Sequence, residues 1–220
     1  MSGTRYNQFC ALARAAEIVG ERWTLLIIRE LLLAPLRFGD LSQRLDDVSP
    51  ALLTDRLNAL MEAGVVRRAA LPPPFNAQVY ELTETGRAIQ PAIRELIRWG
   101  GRFLFPMRKG ETFEPDWVLL ALEAIARRTA VPRCRIGLRI PHPGGTAGFV
   151  IEGGPEGTRI AKGESSGIAS IEARFEALLQ ILTRHLSLEA ALASGAARIE
   201  GSAKTLRRLP SLFELATAKR

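Results

Sequence analysis

The chain holds 220 residues, 47% hydrophobic and 24% charged, with 30 Lys and Arg against 23 Asp and Glu for a formal net charge of +7. Such a length and composition suit one large or two ordinary folded domains and exclude a disordered or fibrous chain. The basic surplus favours an anionic partner, nucleic acid first and a membrane surface second, while two cysteines and two histidines exclude a disulfide scaffold or a zinc site. No metal and no cofactor is expected.

"WTLLIIRELLLA" is interrupted by Arg29-Glu30, so no stretch reaches the roughly 18 uncharged apolar residues of a membrane span. The amino terminus lacks an apolar signal core, and a cytoplasmic location is expected.

In chain order, "CALARAAEIVG" and "ERWTLLIIRELLLA" are apolar at helical spacing, punctuated by Gly20 and Pro35. "RFGDLSQRLDD" reads as a short helix. From Ser49 to Ala63 the signals are complete: an N-cap serine, Pro50 in the first turn, an apolar stripe of Leu53, Leu57, Leu60 and Met61, and Gly64 as terminator. "VVRRAALPPPFNAQVYELTET" reads as a hairpin with a Pro-rich tip at 72–74. Thr83 to Gly86 turns the chain into a helix that starts near Pro91 and carries Ile89, Ile93, Leu96 and Ile97 on one stripe.

The polar, Pro-flanked stretch 106–115 places a boundary between a first domain at 1–107 and a second at 112–220. Beyond it the pattern changes. A helix over 116–129 precedes short alternating runs, "RCRIGLRI", "TAGFVIEGG" and "GTRIAKGES". Helical spacing returns at 170–186 and 188–194, followed by "ARIEGS" and a last helix from about 203. The fold class is α+β in two domains.

Helix, helix, short helix, helix, hairpin, helix is the order of a winged helix-turn-helix. If residues 52–61 bury their apolar side, the opposite face is small and polar and fits a major groove. Ser49, Pro50 and Ala51 open that face, and Thr54 and Asn58 can donate or accept at base edges. Arg44 and Arg56 can reach phosphates, and Arg67 and Arg68 beside the wing can straddle the backbone. Residues 1–105 hold 13 Lys and Arg against 11 Asp and Glu, so the basic character is a local patch. A polar helix face is also what a simply solvated helix presents.

Six motifs run in order over about 95 residues. They are Cys10 before the first helix, Gly-x-Arg-Trp at 20–23, Arg-Phe-x-x-Leu at 37–41, Ser-x-x-Leu-Leu-x-x-Arg-Leu at 49–57, Leu-Thr-x-x-Gly at 82–86 and Trp-Gly at 99–100. In them the chain resembles the HxlR family of winged-helix transcriptional regulators. The resemblance implies a homodimer joined through the first and last helices, with two recognition helices in successive major grooves of a palindromic double-stranded DNA site. Ala11 departs from the proline that often follows the cysteine in that family. Cys10 has two readings: a thiol sensing oxidants or electrophiles, as in some relatives, with Arg14 one turn on to help, or a small apolar residue buried at the dimer seam. Trp23, Trp99 and Phe38 read as core or dimer packing.

The second half offers no catalytic residue. His142 lies in a turn, "PHPGG", His185 flanks an apolar helix, and the Gly-rich stretches lack the Lys-Ser/Thr of a phosphate loop. An enzyme is not expected. Residues 115–218, through small-x-Gly-x-x-x-Ile-x-Gly at 193–201 and Leu-x-x-Leu-x-x-Leu-Phe at 206–213, resemble sterol carrier protein-like domains, in which a short sheet and helices enclose a lipid-sized apolar cavity. The expected ligand is then a hydrophobic small molecule. A well-packed core without a cavity, or a domain that extends the dimer, stands beside it. A lipid carrier whose first half mainly dimerises, and a redox regulator acting through Cys10, are the alternative functions.

Overall fold

The computed structural model describes residues 5–71, 74, 77–104 and 108–214. Pro72 and Pro73 of the expected hairpin tip, residues 105–107 at the expected boundary and the chain from 215 lie outside the described residues. The chain divides into two compact units, residues 1–93 and 94–220.

In the first unit, α1 (Ala11–Val19), α2 (Thr24–Leu33), α3 (Phe38–Arg44) and α4 (Pro50–Glu62) precede strands β1 (Val66–Ala70) and β2 (Gln78–Leu82). A short α5 (Glu84–Arg87) leads into α6 (Gln90–Gly100), which crosses the division between the units. The local signals act as the sequence suggests. Ser49 Oγ accepts from the Leu52 amide at 3.3 Å, Pro50 occupies the first turn, and Gly64 takes a φ of 68° that a Cβ would penalise. Leu53, Leu57 and Leu60 are buried with Ile27, Ile28, Leu31 and Leu41, each worth about 1.5–3 kcal/mol of hydrophobic stabilisation. Met61 is only half-buried.

The hairpin β1–β2 is antiparallel, pairing Val66 with Leu82 and Ala70 with Gln78. Leu36 adds a bridge to Tyr80, with amide-to-carbonyl bonds of 3.1 and 2.8 Å in the two directions. The connection between α2 and α3 is thereby fixed to the hairpin.

In the second unit, α7 (Pro115–Ile125) is followed by β3 (Cys134–His142), β4 (Gly145–Gly154), β5 (Gly157–Lys162), β6 (Ser170–Ala173), α8 (Phe175–Leu182), α9 (Leu188–Ala193), β7 (Ala197–Glu200) and α10 (Ala203–Leu206). The strands form one sheet in the order β5-β4-β3-β6-β7, in which β3 and β6 run parallel and the other neighbours antiparallel. Ile136, Leu138, Ile140, Phe149, Ile151, Ile171 and Ala173 line the core face against α7, α8 and the closing turn at 209–212.

Three expectations need correction. Residues 170–173 are strand, not helix: Ile171 and Ala173 alternate into the core, and the segment bonds to β3 on one side and β7 on the other. The helix expected over 116–129 ends at Ile125, because Arg127 donates to the Leu212 carbonyl at 3.0 Å and accepts from the Thr158 amide at 2.8 Å. The last helix is one turn, 203–206, continued after a break by a 3-10 turn that contains Pro210.

Candidate nucleic-acid interface

The face of α4 opposite its leucines carries Pro50, Ala51, Thr54 and Asn58, all exposed, with Asp55 half-buried. Ser49 is committed to capping. The Thr54 hydroxyl donates to the Pro50 carbonyl at 2.8 Å, so its proton is used within the helix and its oxygen remains an acceptor for an exocyclic amine such as adenine N6 or cytosine N4. Asn58 is exposed and offers both amide groups, the pairing that suits an adenine edge.

Each sequence-nominated arginine has an intramolecular partner. Arg44 Nη1 lies 3.2 Å from Glu30 Oε2, and the other oxygen of that carboxylate is 2.7 Å from Arg29. Glu30 is fully buried, and removing one partner of such a cluster leaves uncompensated charge. Arg44 is thus a tie between α2 and α3 before it is anything else. Arg56 Nη2 lies 3.0 Å from Glu21 Oε2 with its own side chain 23% exposed. Arg67 pairs with Glu81 across the hairpin at 2.6 Å while staying 66% exposed; a pair of that kind is worth about 0–1 kcal/mol and exchanges cheaply for a phosphate. Arg68 stacks over Tyr80 at 5.6 Å, which holds the guanidinium without consuming its donors.

Glu21 and Glu30 are the residues the sequence reading missed. A lone carboxylate inside the apolar run "TLLIIRELLL" is a signal for Glu30, since an acid in that position requires a cationic partner. Nothing local marks Glu21, whose partner is 35 residues away. Trp23 is half-buried and adopts a φ of 77° at the start of α2, with the Arg22 guanidinium 5.2 Å above its ring.

Cys10 is exposed and stands at the N-cap of α1 without a side-chain capping bond. Within the chain it is therefore not a buried apolar residue. Arg14 is turned to Glu17 at 3.0 Å, so it does not serve the thiol. Its hydrogen bonds, followed by one from the Tyr6 amide at 2.8 Å, hold the Glu17 carboxyl below the usual carboxylate range. Burial raises the Cys134 thiol above its ordinary value. Large apolar side chains stay exposed near α1 (Phe9 and Leu12) and along the end of α6 and beyond (Leu96, Trp99, Phe103, Leu104). Trp99 is thus outside the core, edge-on to Phe103 at 5.1 Å.

The profile described as "HxlR-like helix-turn-helix" matches residues 18–108. An HTH-type transcriptional regulator of Mycobacterium tuberculosis, Rv3095, is 42% identical over 94 residues, covering 43% of this chain and 59% of the relative. The chain thus spans about 59% of the length of the mycobacterial relatives it matches. The HTH-type transcriptional regulator YodB of Bacillus subtilis is 33% identical over 101 residues, 46% of this chain and 90% of the relative. The solved structure described as the reduced form of YodB superposes with a TM-score of 0.39 at 31% identity, over 46% of this chain and 100% of that one. The quinone-bound YodB structure gives 0.37 at 30% identity, over 42% of this chain and 97% of that one.

Proposed function

Because the chain belongs to the HxlR-like helix-turn-helix family, we propose that it is a sequence-specific, DNA-binding transcriptional regulator working as a homodimer, with residues 1–107 as the reader. The observation that carries this reading is the α4 face: small, exposed, firmly capped at Ser49 and backed by three buried leucines. Thr54 and Asn58 meet base edges; Arg67 and Arg68 bind phosphates beside the wing, and Arg56 and Arg44 reach them only by loosening Glu21 and Glu30. The exposed Phe9, Leu12, Leu96 and Trp99 supply apolar surface for a second copy. No helix among the described residues is long and apolar enough to cross a membrane, in keeping with a regulator in the cytoplasm.

Residues 112–220 are the proposed regulatory domain, sterol carrier-like, for a hydrophobic small molecule. Its support is a mixed five-stranded sheet with helices against the core face, and glycines at positive φ, Gly195 and Gly201, in the motif at 193–201. A ligand acts only through its differential affinity for DNA-competent and incompetent states. A second reading, a redox response through Cys10, is favoured by the exposure of that thiol.

The test is a titration of labelled duplex from upstream of the protein's own gene against an unrelated duplex, at two salt concentrations. Preferential binding that weakens with salt is expected. Asn58→Ala should lower the preference by about 1–3 kcal/mol, whereas Arg67→Ala should weaken both duplexes alike. Equal, low affinity for every upstream duplex would favour a lipid carrier whose first half only dimerises.

A further inference from the structure

The second unit carries a surface pocket of about 270 Å³ between the end of α7 and the start of β5. Its wall includes Arg94, Arg128 and Arg159, a single acid, Glu123, and Thr158 and Ile160. Arg94 Nη2 lies 2.9 Å from Glu123 Oε2. The Thr158 hydroxyl is spent on the Leu212 carbonyl at 2.6 Å. Arg159 faces Glu152 across the strands, but the ion pair of Glu152 is made with Arg135 on its other side, at 3.2 Å. Arg159 is left with no ion pair among the described residues, and the Nε of Arg94 is buried without a hydrogen-bond partner.

Arginines also cap the carbonyl end of α7. Arg98 donates to the Ala124 carbonyl at 2.6 Å and Arg128 to the Glu123 carbonyl at 3.2 Å. Those bonds also remove the obstacle to an anion, because helix C-terminal carbonyls repel negative charge unless covered. With those carbonyls covered, the pocket is lined by three arginines and one acid. The fork of donors on arginine matches a carboxylate in shape, and Ile160 and Ala126 give the wall a small apolar part.

We propose that this pocket binds a small organic acid, its carboxylate taken by Arg159 and Arg94 and its short apolar part laid against Ile160. The site is polar and separate from the apolar cavity expected of a sterol carrier-like domain.

Isothermal titration of the full chain in chloride buffer, with acetate, succinate, hexanoate and inorganic phosphate as probes, tests it. Saturable binding of at least one carboxylate with a dissociation constant of about 1 mM or tighter is expected, with hexanoate binding more tightly than acetate. Arg159→Gln should weaken that binding about tenfold or more, and Arg198→Gln, an exposed arginine away from the pocket, should not. Circular dichroism melting confirms that both variants are folded. Absence of carboxylate binding, or equal binding by Arg159→Gln, overturns the proposal. Phosphate binding more tightly than every carboxylate overturns the ligand class.

Discussion

Replacing Glu30 with leucine removes a fully buried carboxylate of the first unit and abandons the guanidiniums of Arg29 and Arg44 that meet it. Its side chain has no exposure, while Arg29 and Arg44 keep 18% and 28% of theirs. Truncating one side of a buried pair costs about 3–5 kcal/mol when the abandoned charge stays dry. Here both arginines retain a path to water, so the cost is about 2–3 kcal/mol. In a unit of this size each kcal/mol moves the midpoint by about 4–8 °C, giving a fall of about 8–24 °C. Scanning calorimetry of the full chain reads it as a shift of one unit's transition with the other unmoved. Glu30→Gln, which keeps the shape, should fall between leucine and wild type. A leucine variant melting within about 2 °C of wild type would refute the claim that this cluster ties α3 to α2.

Three further outcomes follow from other contacts. Gly137→Ala should destabilise the second unit selectively, because a Cβ there collides with the Ser165 side chain; separate calorimetric transitions distinguish the units. Iodoacetamide should label Cys10 well before Cys134, which is half-buried with its thiol raised by burial; mass spectrometry of tryptic peptides gives the order. Glu17 is an acid with a depressed value, so its contribution is complete above the ordinary carboxylate range and is lost as the pH falls through the lowered one. The amide resonance of Tyr6, which donates to it, should titrate with a midpoint below that of a free carboxylate and stay unmoved in Glu17→Gln.

What could be read from the sequence tracks the range of the forces involved. Ser49, Pro50 and Gly64 act on their own turns of backbone, so the limits of α4 follow from neighbours within four residues. Strand β6 was hidden because its partners lie elsewhere, in β3 and β7, while its apolar spacing runs smoothly into that of α8. The partners of the arginines are out of sequence reach for the same reason. Arg44 and Arg67 meet carboxylates 14 residues away and Arg56 one 35 residues away. Residue type foretold that they are cationic, and only the packed chain decides what already occupies them.

The strand order of the second unit has a consequence for synthesis. Residues 11–93 hold α1 to α5, the hairpin and the start of α6, so the first core can assemble while the rest of the chain is still being made. The second sheet has no such freedom. Its central strand β3 waits for β6, and the last ties on the end of α7 form when the final described turn arrives, through the Ala126–Phe213 bridge and the Glu214 amide donating to Ile125 at 2.7 Å. On the ribosome a completed first unit precedes an open, apolar second one, and a message cut short before codon 213 yields the former without a closed form of the latter.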